Sequence, residues 1–135
     1  MSSRPLFRPQ EVAVALSMTT SVNSLPSNIN MISAVGYTLN YTSGASGTFS
    51  VQVSNDYVPT PPGVVPTDPD AGTWVSIPMS VSGGAPTLTP VVTSGAAGSA
   101  YLDVVGISAA WIRLSFTNTS GSGGTFTATI AGKVQ

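Results

Sequence analysis

Few residues of this chain could carry out chemistry. The 135 residues include no His and no Cys, so the Ser and Thr hydroxyls lack their usual general base and no thiolate can attack a substrate or bind a soft metal. A Ser–Lys pair would depend on Lys133, two residues from the end of the sequence, where chains are usually frayed. The composition therefore predicts a protein that is not an enzyme and binds no cofactor.

The carboxylates could support a second kind of chemistry, the binding of a hard metal ion. Asn55-Asp56 and Asp68–Asp70 could supply oxygen ligands of the kind that Ca²⁺ prefers. Asn and Asp beside Gly and Pro more often cap turns, and we therefore predict no metal site. Asp103 and Arg113 both fall in predicted strands and could form a structural ion pair across a sheet.

The chain carries few charges, and their net value is −1. It therefore offers no basic surface for nucleic acid, and no apolar run approaches the ~20 residues that a membrane helix needs. Within Met1–Thr20 the only apolar run, Val12–Leu16, is too short for a secretory signal, which predicts synthesis in a cytoplasm. A weakly charged surface is poorly protected against association, and we expect it to be covered by other protein copies.

Apolar residues alternate with polar ones along several segments, which is the pattern of half-buried β-strands. Ala110–Thr117 and Thr125–Lys133 show it most clearly, and the Ser/Thr/Gly-rich segment between them suits a tight reversal. We predict a β-hairpin there and a second one over residues 31–55. A first strand is predicted over Glu11–Met18, and no segment keeps the 3.6-residue period of a helix.

These elements predict an all-β fold, a single-domain antiparallel β-sandwich of about seven or eight strands, either jelly-roll or Ig-like. The domain spans residues 11–135 and follows an extended N-terminal arm, Met1–Gln10. Pro5 and Pro9 favour extended backbone in that arm.

The segment Asp56–Gly72 contains five prolines, which excludes an interior strand and predicts a stiff protruding loop. Tyr57 at its start is the aromatic residue most expected to be exposed, and it could contact a sugar or a protein. The arm and this loop supply the candidate assembly contacts. These are Arg4, Leu6, Phe7, Arg8, Tyr57, Pro61 and Pro62.

Several short segments together resemble the small virion proteins of tailed bacteriophages. They are also loosely similar to the discoidin-like β-sandwich, in which a Val-x-x-Ser-x-Asp strand, a following Trp and a late Ile-Arg-Leu strand recur. The resemblance extends from about Gly47 to Lys133, and the insertion Pro59–Pro69 departs from it, so no binding residues are carried over. The segments are Gly47–Asp56, Gly72–Val75, Ala97–Asp103, Trp111–Leu114, Ser120–Phe126 and Gly132-Lys133.

This resemblance implies a structural protein of a bacteriophage virion, made in the host cytoplasm. We expect a capsid decoration or accessory protein that binds copies of itself, as a trimer, and other capsid proteins, without nucleic acid or membrane. A tail, neck or spike component is the alternative within the virion. A different class, a carbohydrate-binding adhesin module, would use Tyr57 and the Asp56–Gly72 loop.

Overall fold

The chain is built from β-strands. A computed structural model describes residues 6–30, 32–59, 72–81 and 84–133, with the backbone alone at 6–8 and 133. These residues form eleven strands and no helix. The strands are β1 (Leu6–Ser17), β2 (Val22–Asn23), β3 (Ser27–Asn28), β4 (Ala34–Tyr41), β5 (Ser46–Ser54), β6 (Val75–Ile77), β7 (Ser80–Val81), β8 (Val91–Ser94), β9 (Gly98–Val105), β10 (Trp111–Ser120) and β11 (Thr125–Lys133).

The strands form two antiparallel sheets, which confirms the predicted β-sandwich. One sheet has the order β1-β11-β4-β9-β7, and the other has the order β2-β10-β5-β6. In the second sheet β3 also pairs with β10, and β8 also pairs with β5. The strands outnumber the predicted seven or eight because both edges of this sheet consist of short separate pieces.

Both predicted hairpins are wrong. β10 and β11 lie in different sheets, and so do β4 and β5. β10 pairs with β5, whereas β11 pairs with β4. Alternation identifies the buried face of a strand, but strands in either sheet of a sandwich turn that face towards the same core. The glycine-rich turn that was expected to reverse the chain within one sheet instead carries it across to the other.

The two crossing connections lie side by side and bond to each other. The Thr42 N–H donates to the Thr125 carbonyl (2.9 Å), and the Ala45 N–H donates to the Gly123 carbonyl (3.1 Å). Gly44 fits closely between them, because a Cβ there would collide with the backbone of Gly123. This end of the sandwich is therefore fixed by backbone bonds between residues that are far apart in the sequence.

Aromatic rings from both sheets meet in the core. The ring centroids of Phe49 and Phe116 are 4.9 Å apart, and those of Phe49 and Phe126 are 5.1 Å apart, edge to face. Burial of each ring contributes roughly 1.5–3 kcal/mol. Tyr37 of β4 is equally buried, but its hydroxyl has no hydrogen-bond partner among the described residues. Desolvation raises the pKa of the Tyr37 hydroxyl well above its usual value.

Part of the predicted N-terminal arm is an edge strand. β1 begins at Leu6 rather than at Glu11, and Leu6 lies opposite Lys133 of β11. The register shifts between Phe7 and Gln10, around a proline that cannot donate to the ladder. The segment Met1–Pro5 lies outside the described residues.

Candidate functional site

Three half-buried aromatic residues, Tyr57, Trp74 and Trp111, form an aromatic cluster on the outer face of the β2-β10-β5-β6 sheet. The Tyr57 ring centroid lies 5.0 Å from that of Trp111, edge to face, and 5.5 Å from that of Trp74. Trp111 points away from the core because its neighbour in the strand, Ile112, is fully buried between the sheets. The cluster therefore lies where the Asp56–Gly72 segment leaves and rejoins the sandwich.

Arg113 fixes one side of the aromatic cluster. Its guanidinium carbon lies 4.2 Å from the centroid of the Trp74 ring, and its Nε donates to Oε1 of Gln52 (2.9 Å). The residue is only 7% exposed, and a cation–π contact with such little solvent can contribute about 2 kcal/mol. The predicted pair between Asp103 and Arg113 across one sheet is wrong, because β9 and β10 belong to different sheets.

Asp56 joins the two ends of the proline-rich segment. Its Oδ1 accepts hydrogen bonds from the Thr73 N–H (2.6 Å) and the Ser54 hydroxyl (2.8 Å). These bonds, led by the one from Thr73, lower the pKa of the Asp56 carboxyl below its usual value. Gly72 has φ +111°, and a Cβ there would lie 3.0 Å from the Cα of Tyr57, so glycine suits this junction.

The polar residues considered for metal binding have structural partners. Asp56 bonds as described above, and Asn55 accepts a hydrogen bond from the Ala110 N–H (2.9 Å). Within the part of the chain that the structure describes, no group of three or more Asp, Glu, His or Cys is placed to hold a metal ion. Asp68 and Asp70 lie outside that part.

The structure describes only some of the predicted assembly contacts. Arg4, Pro61 and Pro62 lie outside the described residues. Leu6, Phe7 and Arg8 are described by their backbone alone, as the first residues of β1. Tyr57, which was expected to be exposed, is half-buried between two tryptophans.

Sequence reasoning missed the association of Trp74, Trp111 and Arg113. Their spacing contained part of the signal, because Trp111 and Arg113 are two residues apart and must share a face of their strand. Trp74 comes from a segment 39 positions away from Arg113, and no local pattern links the two.

An apolar groove of about 320 Å³ runs between β1 and β2. Its lining includes Val14 and Leu25, which are both about two-thirds exposed, and the acidic residue Glu11. The Leu25 N–H donates to the Val12 carbonyl (2.9 Å), which covers part of the outer edge of β1. The groove is therefore an apolar surface at the edge of the sandwich.

No helix in the described part of the chain is long and apolar enough to cross a membrane.

The fold and these sites define an antiparallel β-sandwich with an aromatic cluster outside its core. No protein-family model and no curated protein matches the chain. Among solved structures, the chain is similar to the crystal structure of the SPBc2 prophage-derived protein YomS. The TM-score is 0.52 at 9% sequence identity, and the match covers 93% of this chain and 96% of that chain. At this identity the likeness shows a shared fold.

Proposed function

We propose that this chain is a non-enzymatic structural protein of a bacteriophage virion that decorates the capsid as a multimer, with a trimer as the expected form. The observation that carries the proposal is the fold shared with YomS over nearly the whole of both chains. A prophage is an integrated bacteriophage genome, so that protein has a phage origin. The resemblance of the Gly47–Lys133 segments to phage virion proteins supports the same origin.

The order of the strands supports a jelly roll, a fold used by many viral capsid proteins. If β2 with β3 and β6 with β8 are each counted as one strand and the two-residue β7 is left out, eight strands remain. Numbered along the chain, they have the orders 1-8-3-6 and 2-7-4-5 in the two sheets. An Ig-like sandwich would place its first and second strands side by side, whereas here they lie in different sheets.

The apolar groove between β1 and β2 is the surface through which we expect copies of the chain to associate. Val14 and Leu25 expose large apolar side chains there, and a net charge of −1 gives little repulsion between copies. Glu11 at the groove could meet Arg4 or Arg8 of a second copy, whose sequence places an apolar pair between those two cations.

Particles of the phage that encodes the chain would test the capsid role. Electron cryomicroscopy of wild-type particles should show the protein at symmetry-related positions on the head. Particles from a deletion mutant should lack that density, lose their DNA at a lower temperature, and recover both properties when the purified protein is added back. Absence of the protein from purified particles, or density at the tail or neck alone, would overturn the proposal.

A further inference from the structure

We propose that the outer face of the β1-β11-β4-β9-β7 sheet binds an uncharged hexose of a glycan, with the sugar stacked on Tyr101. This site lies on the opposite sheet from the aromatic cluster. The proposal does not depend on the capsid role, because a chain without that role could still bind a sugar there.

Tyr101 differs from the other tyrosines in its exposure. It is 49% exposed, whereas Tyr37 is fully buried, and Tyr41 and Tyr57 are half-buried. Its neighbour in the strand, Leu102, is fully buried in the core, so the Tyr101 ring lies on the outer face of the sheet.

The Tyr101 ring packs over Gly36 of the adjacent strand, β4. A Cβ built on Gly36 would lie 2.9 Å from the Cζ of Tyr101 and 3.0 Å from its Cε1, and would overlap its hydroxyl oxygen. The ring therefore occupies the space that a side chain at position 36 would fill. One side of the ring packs on backbone while half of the residue's surface stays in solvent, as a stacking platform requires.

The residues around the ring are short and polar. Thr38 is directly opposite Tyr101, and Asn40 is opposite Ser99, two residues before the tyrosine. All three are exposed. Their hydroxyl and amide groups can both donate and accept hydrogen bonds, which matches the hydroxyl groups around a pyranose ring. Because none of these three residues is large, they leave the β4 side of the tyrosine open to a planar ligand.

The charge and the apolar area of this face favour a neutral sugar over the other occupants. Asp103 lies opposite Gly36, so its carboxylate can accept bonds from sugar hydroxyls but would repel an acidic sugar or a phosphate. Protein interfaces bury several large apolar side chains in one contiguous core. Here the exposed apolar residue of the same strand, Val105, is four residues from Tyr101, about 13 Å along the strand.

A tyrosine that covers a cross-strand glycine also stabilises a sheet, and this structural role has to be separated from binding. Tyr101→Phe keeps the ring, whereas Tyr101→Ala removes it. Val92→Ala truncates an exposed side chain on the other sheet and serves as the matched control. The proposal predicts that these variants differ in ligand affinity, while a purely structural role predicts a change in melting temperature alone.

The test is a titration of the full ¹⁵N-labelled chain with neutral oligosaccharides, followed by amide chemical shifts. The probes are maltohexaose, cellohexaose and chitohexaose, with sialyllactose as an acidic comparison. We expect at least one neutral probe to shift the amides of Gly36, Thr38 and Tyr101. Its affinity should fall at least tenfold in Tyr101→Ala and change less than threefold in Tyr101→Phe and Val92→Ala.

Three results would overturn the proposal. These are the failure of all neutral probes to bind at 10 mM, unchanged affinity in a folded Tyr101→Ala variant, and tighter binding of sialyllactose than of every neutral probe. If Tyr101→Ala fails to fold, Thr38→Ala and Asn40→Ala take its place, and loss of affinity in neither would also overturn it. The particle experiments have separate readouts, so the capsid role and sugar binding can fail independently.

Discussion

Replacing Tyr37 by Phe should stabilise the protein. The Tyr37 side chain is fully buried in the core, and its hydroxyl has no hydrogen-bond partner among the described residues. Moving a hydroxyl from water into an apolar core without a new hydrogen bond lowers the free energy of unfolding by about 1–3 kcal/mol. Phe keeps the ring contacts and removes that group, so only a small void offsets the gain.

We expect the free energy of unfolding of Tyr37→Phe to rise by about 1–2 kcal/mol. For a domain of this size that corresponds to an increase of roughly 3–8 °C in melting temperature. Urea denaturation should show a higher midpoint with an unchanged slope, because the surface exposed on unfolding is the same. Differential scanning calorimetry provides the independent measurement.

The same tyrosine gives a pH dependence of known sign. Burial raises the pKa of the Tyr37 hydroxyl, so its proton stays bound in the folded state after the unfolded chain has begun to lose it near pH 10. The contribution of the Tyr37 hydroxyl's bound proton to the free energy of unfolding is fully present below that pH and is lost as the pH rises above it. Tyr37→Phe should therefore show a smaller loss of stability between pH 9 and 11 than the wild type.

Two control variants make this prediction refutable. Tyr41→Phe removes a hydroxyl from a half-buried tyrosine and should change stability by less than about 0.5 kcal/mol. Tyr37→Ala removes the ring and should cost about 3–5 kcal/mol. If Tyr37→Phe instead lowers stability by 1 kcal/mol or more, the hydroxyl has a partner, such as an internal water, and the argument from an unpaired group is wrong.

Three further predictions concern the outer surfaces of the sandwich. Arg113→Lys keeps the charge but loses the planar stack on Trp74, and should lower the unfolding free energy by about 1–2 kcal/mol in urea denaturation; no change would show that the stack contributes nothing. The pKa of Asp56 is lowered in the folded state, so its stabilising effect is present above the unfolded pKa and lost as the pH falls. Asp56→Asn should accordingly melt with a smaller difference between pH 6 and pH 2.5 than the wild type, and an equal difference would count against the bridge between the loop ends. Val14→Asp with Leu25→Asp should convert the multimer that we propose to a monomer in light scattering, and a multimer that persists in this variant would exclude the groove between β1 and β2 as its interface.

The sequence was sufficient for the fold class and for the buried faces of the central strands β4, β5, β10 and β11. Ile112, Leu114 and Phe116 were expected to share a buried face, and all three are fully buried. Which strands pair could not be predicted, because the alternation of Phe49 and Val51 is satisfied equally by a partner in the same segment or by β10, about 60 residues later. That choice is made by contacts across the whole chain rather than by local pattern.

The candidate sites were harder to predict than the fold. The bond between Asp56 and Thr73 joins residues 17 positions apart. The sequence indicated only that an Asp in such a position often caps a turn, and it did not identify Thr73 as the partner. Tyr57 was expected in solvent because it begins a proline-rich loop, but two tryptophans from elsewhere cover it. No local pattern distinguishes Tyr101 from the other tyrosines in strands, and only the structure shows that its ring packs over Gly36 of the adjacent strand.

The pairing of β1 with β11 affects how the molecule can be made and rearranged. β1 acquires its ladder partner only after β11, which lies much later in the chain, has left the ribosome, so this backbone edge of β1 stays unpaired until then. The same neighbourhood brings Leu6 and Lys133 into register. A short flexible linker between them, with new ends opened at the exposed Ser122, should give a circular permutant that folds to the same sandwich.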